Sequence, residues 1–171
     1  MKQKGFTLIE LLVVISVIGL LASVILISLN SARGKARNAK RNADMKQMAN
    51  AFILGLDSNN GSFPDSGGWA CISASCYGSW VGITEIYAVD DYLASYVAQK
   101  PSDPFESGRG FGGYLYAIAW GPAVSPYDSG FYPLGTYLDW MVELPLSSGS
   151  CGIGRVYNVT ASYIECLYKL N

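Results

Sequence analysis

Four cysteines, thirteen carboxylates and no histidine bound the chemistry open to this chain of 171 residues. Without an imidazole there is no Ser-His-Asp or Cys-His arrangement to activate a nucleophile, so an enzyme is not expected. The cysteines are Cys71, Cys76, Cys151 and Cys166. Their even number fits two disulfides in an oxidising compartment. Of the three connectivities, the local one, Cys71–Cys76 with Cys151–Cys166, is expected; the competing reading is four reduced thiols packed as small hydrophobes. Zinc is disfavoured, because the pairs are five and fifteen residues apart and no histidine could complete the set. The acidic pairs Asp90-Asp91 and Asp103 with Glu106 could attract calcium, but no full loop pattern surrounds them and they read as solvated surface charge. No metal and no cofactor is expected.

The remaining carboxylate of interest is Glu10, because of where it stands. From Leu8 to Leu29 the chain is apolar apart from Glu10 and a few Ser and Gly. Twenty-two residues make a helix of about 33 Å, enough to cross a bilayer core of about 30 Å. A cleaved secretory signal would have a shorter apolar run and a small-residue cleavage site followed by a change of composition. A plain membrane anchor leaves Glu10 unexplained, since a carboxylate costs about 2.5–3.5 kcal/mol at the centre of a span and less near its end. A functional role with a cationic partner is therefore expected of Glu10.

The run Lys4-Gly5-Phe6-Thr7-Leu8-Ile9-Glu10-Leu11-Leu12-Val13-Val14-Ile15 resembles the class III signal and hydrophobic stem of type IV pilins and type II secretion pseudopilins. The resemblance implies that a prepilin peptidase cuts after Gly5 and methylates the new amine of Phe6, leaving the apolar run as the filament core. It also implies that Glu10 neutralises the Phe6 amine of an adjacent copy in a low-dielectric setting and so fixes the axial register between subunits. The partners implied are further copies of this chain in a helical homopolymer, the peptidase, and an inner-membrane assembly platform with its ATPase. Before assembly the chain is expected in the bacterial inner membrane with its head outside the cytoplasm. One departure from the family habit is the absence of a proline before Pro64, which leaves any melting of the stem to Gly19 and Gly34.

These residues need long elements to position them. Past Leu29 the pattern becomes amphipathic, with Ala32, Ala36, Ala39 and Ala43 followed by Met45, Met48, Ala49, Phe52, Ile53 and Leu56, read as one helical stripe. Arg37, Lys40, Arg41 and Lys46 are expected away from it. A helix from about Phe6 to Leu56 results, stopped by Asp57-Ser58-Asn59-Asn60-Gly61 and Phe63-Pro64. The expected organisation is a leader at 1–5, a transmembrane or filament-core helix at 6–30, its amphipathic half at 31–56 and a β-rich head at 57–171.

In the head, Tyr114 to Trp120, Thr136 to Leu144 and Tyr163 to Leu170 alternate like half-buried strands, and Thr84 to Gln99 reads as a short helix. The fold class expected is α+β, a small antiparallel sheet covering the amphipathic half of the long helix, as in the ladle of pilins. Lys100-Pro101-Ser102-Asp103-Pro104, followed by Gly-rich sequence and Tyr114-Leu115-Tyr116, looks like the turn that enters the first strand of major pseudopilins, which would start at Tyr114. The Cys151 to Cys166 segment is similar to the disulfide-bound loop of type IVa pilins.

Charge separates along the chain: residues 1–46 carry +6 and residues 47–171 carry −7. The basic residues follow an apolar span and have no interleaved aromatics, which argues for lipid headgroups or acidic neighbours and against nucleic acid. Six cations follow the span and only Lys2 and Lys4 precede it, against the positive-inside rule; the signal resemblance and the cysteines override that count. The leading expectation is a structural pilin of a type IV pilus. The alternatives are a type II secretion pseudopilin, a minor tip subunit that binds a surface or DNA, and, outside the family, a membrane-anchored binding domain.

Overall fold

The computed structural model describes residues 5–78, 83, 86–104, 111–144 and 150–171. The chain divides into two compact units, one ending at Ala36 and one running from Arg37 to Asn171. Helix α1, Leu8–Ser58, contributes to both.

Within the first unit every described residue is exposed except Gly34, which is half-buried. Polar side chains in the apolar run turn back on the helix: the Ser16 hydroxyl donates to the Leu12 carbonyl at 2.7 Å and Ser23 to Leu20 at 2.7 Å. Such bonds spare the hydroxyls a partner from lipid.

The second unit is built on a five-stranded antiparallel sheet in the order β1-β4-β7-β9-β8. These strands are β1 Trp69–Cys71, β4 Tyr114–Trp120, β7 Gly135–Glu143, β8 Arg155–Val159 and β9 Tyr163–Lys169. Two small two-stranded sheets pair β2 Tyr77–Gly78 with β3 Phe111–Gly112, across α2 in sequence, and β5 Ala123–Val124 with β6 Phe131–Tyr132 in a hairpin. Helix α2, Tyr87–Ala94, lies within the span expected to be helical; Thr84, at its expected start, lies outside the described residues. The three strands read from alternation are β4, β7 and β9, whereas β1 and β8 are too short or too mixed to show period two.

The core forms where α1 meets the sheet. Met45, Met48, Ala49, Ala51 and Phe52 pack with Tyr114, Tyr116, Leu138, Trp140, Val142 and Ile164. Phe52 stacks on Tyr116 with centroids 4.4 Å apart, and Trp140 Nε1 donates to Asn42 Oδ1 at 3.1 Å. Past the last turn, the Gly61 amide closes on the Leu56 carbonyl at 2.8 Å, with Asn60 and Gly61 in the left-handed region.

Three expectations are corrected. The alanines are not in the core stripe: Ala32, Ala36, Ala39 and Ala43 are exposed, and Ile53 is exposed as well. Ala39 and Ala43 fall on the helix face opposite Met45, Met48 and Phe52, so the sequence merged two faces into one. Strand β7 is buried on both faces, because Tyr137, Asp139, Met141 and Glu143 are covered as fully as Leu138, Trp140 and Val142. Part of that second cover is the β5–β6 hairpin, whose Tyr132 packs with Trp120, Tyr137 and Tyr157. Finally, Tyr114 opens the fourth strand rather than the first.

Candidate processing and assembly site

Gly5 and Phe6 precede the helix, and the Phe6 side chain is 82% exposed. The residues on either side of the Gly5–Phe6 bond are therefore open to an incoming peptidase. Thr7 caps α1. Its amide donates to Glu10 Oε2 at 2.8 Å, its hydroxyl donates to the same oxygen at 2.7 Å, and the Glu10 amide donates to Thr7 Oγ1 at 3.3 Å. This is a reciprocal capping box. Glu10 consequently has a role within its own chain that the sequence reading passed over, although Thr7-x-x-Glu10 ahead of an apolar run is the signature of that box. A helix start that enters lipid has no water to satisfy its first amides, so the cap and the negative charge at the helix N-terminus both favour the first turn.

Both Thr7 bonds fall on one carboxylate oxygen, Glu10 Oε2. The arrangement holds a carboxylate at a fixed place one turn from the N-terminus, four residues from the amine that cleavage would create. A carboxylate so placed can pair with a cation.

The cations of α1 are used differently from expectation. Arg41 is fully buried, and its guanidinium donates to Asp103 at 2.6 Å, Glu143 at 2.9 Å, Asn38 at 2.9 Å and the Pro104 carbonyl at 3.2 Å. Arg37 forms a two-pronged pair with Glu143, both bonds 2.6 Å. Asp103 also accepts from the Gly113 amide at 2.8 Å. Thus Asp103 is an internal counter-ion rather than solvated surface charge, and the turn around it ties the loop to α1. Its companion Glu106 lies outside the described residues. Asp90 pairs with Lys100 at 2.7 Å, and no group of three or more His, Cys, Asp or Glu that could hold a metal occurs among the described residues.

The cysteines lie in the second unit, apart from the processing residues. Cys71 is joined to Cys76 and Cys151 to Cys166, with Cα separations of 6.0 and 5.5 Å. Cys151 and Cys166 belong to the core itself, so that bridge closes a loop and fills space under the sheet. On the other face of the sheet, Asp139 is buried against Glu165. Burial holds the Asp139 carboxyl well above the usual carboxylate range, the Glu165 charge adds to this, and one Asp139 oxygen has no hydrogen-bond partner. Glu165 is itself raised by burial, an effect offset in part by hydrogen bonds from Asn158 and Asp139.

The first 26 residues match the family described as "Prokaryotic N-terminal methylation motif". Over 107 residues, 62% of this chain, the sequence is 30% identical to the type II secretion system core protein G of Klebsiella pneumoniae, of which it covers 71%. Over 53 residues, 31% of this chain, it is 42% identical to the protein of the same name from Escherichia coli strain K12, of which it covers 37%. No solved structure matches it significantly. A capped N-terminus with its acid on the first turn, a single apolar span, an antiparallel sheet closed over the rest of that helix and these likenesses agree: the chain belongs to the pilin and pseudopilin family, whose members are anchored in a membrane through this helix, processed at this motif and self-assembled into filaments.

Proposed function

We propose that this chain is a pseudopilin, a structural subunit of a type II secretion filament. The observation that carries the reading is the 107-residue likeness to core protein G, which extends far beyond the 26 residues of the methylation motif and so involves the head as well as the signal. In this reading the chain has no catalytic role. Its head lies on the oxidising side of the inner membrane, which two disulfides favour. After cleavage the exposed stem leaves lipid for a bundle of stems, and past it the exposed Ala32, Ala36, Ala39 and Ala43 let a neighbouring helix approach closely. An assembly platform and an ATPase supply the work of extraction.

The test has two readouts. Mass spectrometry of the mature protein should show a chain beginning at methylated Phe6, and any other start would remove the basis for the proposal. Deleting the gene in its host should stop export of secreted proteins and leave surface pili unchanged. A second reading, a major pilin of a type IV pilus, is favoured by the stapled C-terminal loop between Cys151 and Cys166. Loss of long surface filaments with normal protein export would select it.

A further inference from the structure

The head surface carries two exposed features that its own fold does not use. On the β5–β6 hairpin, Val124 and Phe131 are register partners and are 59% and 60% exposed, and Leu134 just beyond them is 57% exposed. The opposite face of the same hairpin, with Tyr132 buried, does the packing. Cations bracket this apolar face: the Arg155 guanidinium passes over Gly130 and lies 5.3 Å from the Tyr132 ring centre, and the Lys169 chain crosses Gly135. Phe131, Arg155 and Lys169 line one cleft of about 260 Å³. On α2, Tyr87 and Asp91 stand one turn apart and both are exposed, Tyr87 at 86%. The other side of α2 docks on α1, with Tyr92 donating to the Phe52 carbonyl at 2.6 Å and Tyr96 to the Ser58 hydroxyl at 2.8 Å.

Resting on the filament reading above, we propose that the hairpin face of one head, Val124, Phe131 and Leu134 between Arg155 and Lys169, docks on the Tyr87–Asp91 face of α2 in the next copy. Three arguments select this pairing. A helical filament needs heterologous contacts, in which two different patches meet. The hairpin lies on the sheet face turned away from α1 while α2 lies on the α1 side, so neither patch can be satisfied within one head. The heads are acidic and repel, and beyond α1 the chain has only four cations. Lys100 is held by Asp90, while Arg155 and Lys169 line the cleft beside Phe131 and can receive a neighbour's acid. The ion pair of Arg155 with Asp128 is loose and exposed, at 3.6 Å, and such an acid could replace it. Exposed apolar side chains rimmed by charge mark a protein contact.

The test uses the full chain assembled in its host. All four native cysteines are in disulfides, so a chain carrying both Phe131→Cys and Tyr87→Cys has one new reactive pair. On oxidation its filaments should yield a ladder of covalent dimers, trimers and longer species, while each single variant stays monomeric. Filaments of the double variant that give no ladder, or dimers from a single variant, would overturn the pairing. Independently, Arg155→Glu with Lys169→Glu should reduce filament yield about tenfold, and adding Asp91→Lys should restore most of it. Unchanged yield, or no restoration, would overturn the pairing as well. If the unaltered chain is processed yet forms no filament, the filament reading itself fails, and that outcome is distinct from the others.

Discussion

Helix α1 runs through two regions that treat the same kind of side chain in opposite ways. Between Phe6 and Leu29, seventeen large apolar side chains are 41–82% exposed. From Met45 to Phe52 the apolar side chains are closed under a sheet. At about 1.5–3 kcal/mol for each side chain left in water, the stem forgoes tens of kcal/mol, several times the 5–15 kcal/mol that holds a domain folded. No arrangement of the head could offset that. The stem is stable only in another phase, first lipid and then other stems, whereas the head is complete except for small surface patches. Polar chemistry divides in the same way: the stem satisfies Glu10, Ser16 and Ser23 on its own backbone, and the head satisfies Arg37 and Arg41 on distant carboxylates.

The sharpest break in this comparison comes from the head's side of the helix. Arg41→Ala should leave Asp103 a buried acid without its cation, strip Glu143 of one of its two arginines, and destabilise the head by about 3–5 kcal/mol. Thermal unfolding of the mature chain in detergent measures it, and unaltered unfolding would mean that the network contributes nothing. The signal of α1 in the stem should be unaffected. Next in size, Cys151→Ala with Cys166→Ala opens a bridge of sequence separation 15 and should cost about 3 kcal/mol from chain entropy, with a further loss because both sulfurs are in the core.

What the sequence disclosed divides along the same line. The stem, the helix stop and three strands were legible because each depends on local pattern: a long apolar run, a cluster of turn formers, alternation at period two. The local disulfide pairing expected from spacing is the pairing in the structure. The burial of Arg41 was not legible, since an arginine on an amphipathic helix reads as solvent-facing unless one knows that Asp103 and Glu143, 62 and 102 residues away, converge on it. Nor could alternation reveal the second cover of β7, part of which comes from a hairpin with two-residue strands. The capping box at Thr7 and Glu10 was legible and went unread because the resemblance supplied another role for the same carboxylate.

That double role of Glu10 can be separated. Glu10→Gln keeps an accepting oxygen for the Thr7 amide and hydroxyl but removes the charge, while Thr7→Val removes the cap and keeps the charge. The cap is worth about 0.5–2 kcal/mol of helix stability. If the intersubunit charge decides assembly, Glu10→Gln and Glu10→Ala both process normally at Gly5 and assemble poorly, and Thr7→Val assembles with a frayed first turn. Filaments from Glu10→Gln but not from Thr7→Val would transfer the role from the charge to the cap.

The smallest effect expected belongs to the buried acids on the far face of the sheet. Burial raises the Asp139 carboxyl well above its ordinary value of 3.8, and Glu165 is raised above 4.5. A group whose folded value is raised binds its proton more tightly in the folded state. Its contribution to stability is therefore full below the unfolded value of about 4 and is lost as pH rises through the folded one. The pair should make the head less stable at neutral pH than at mildly acidic pH. Asp139→Asn supplies a permanent amide donor to Glu165 in place of a proton, so it should raise stability at pH 7 by about 1 kcal/mol and flatten the decline between pH 4 and 7. A thermal unfolding series across that range decides the matter, and a variant that declines as steeply as the unaltered chain would show that Asp139 does not hold the proton.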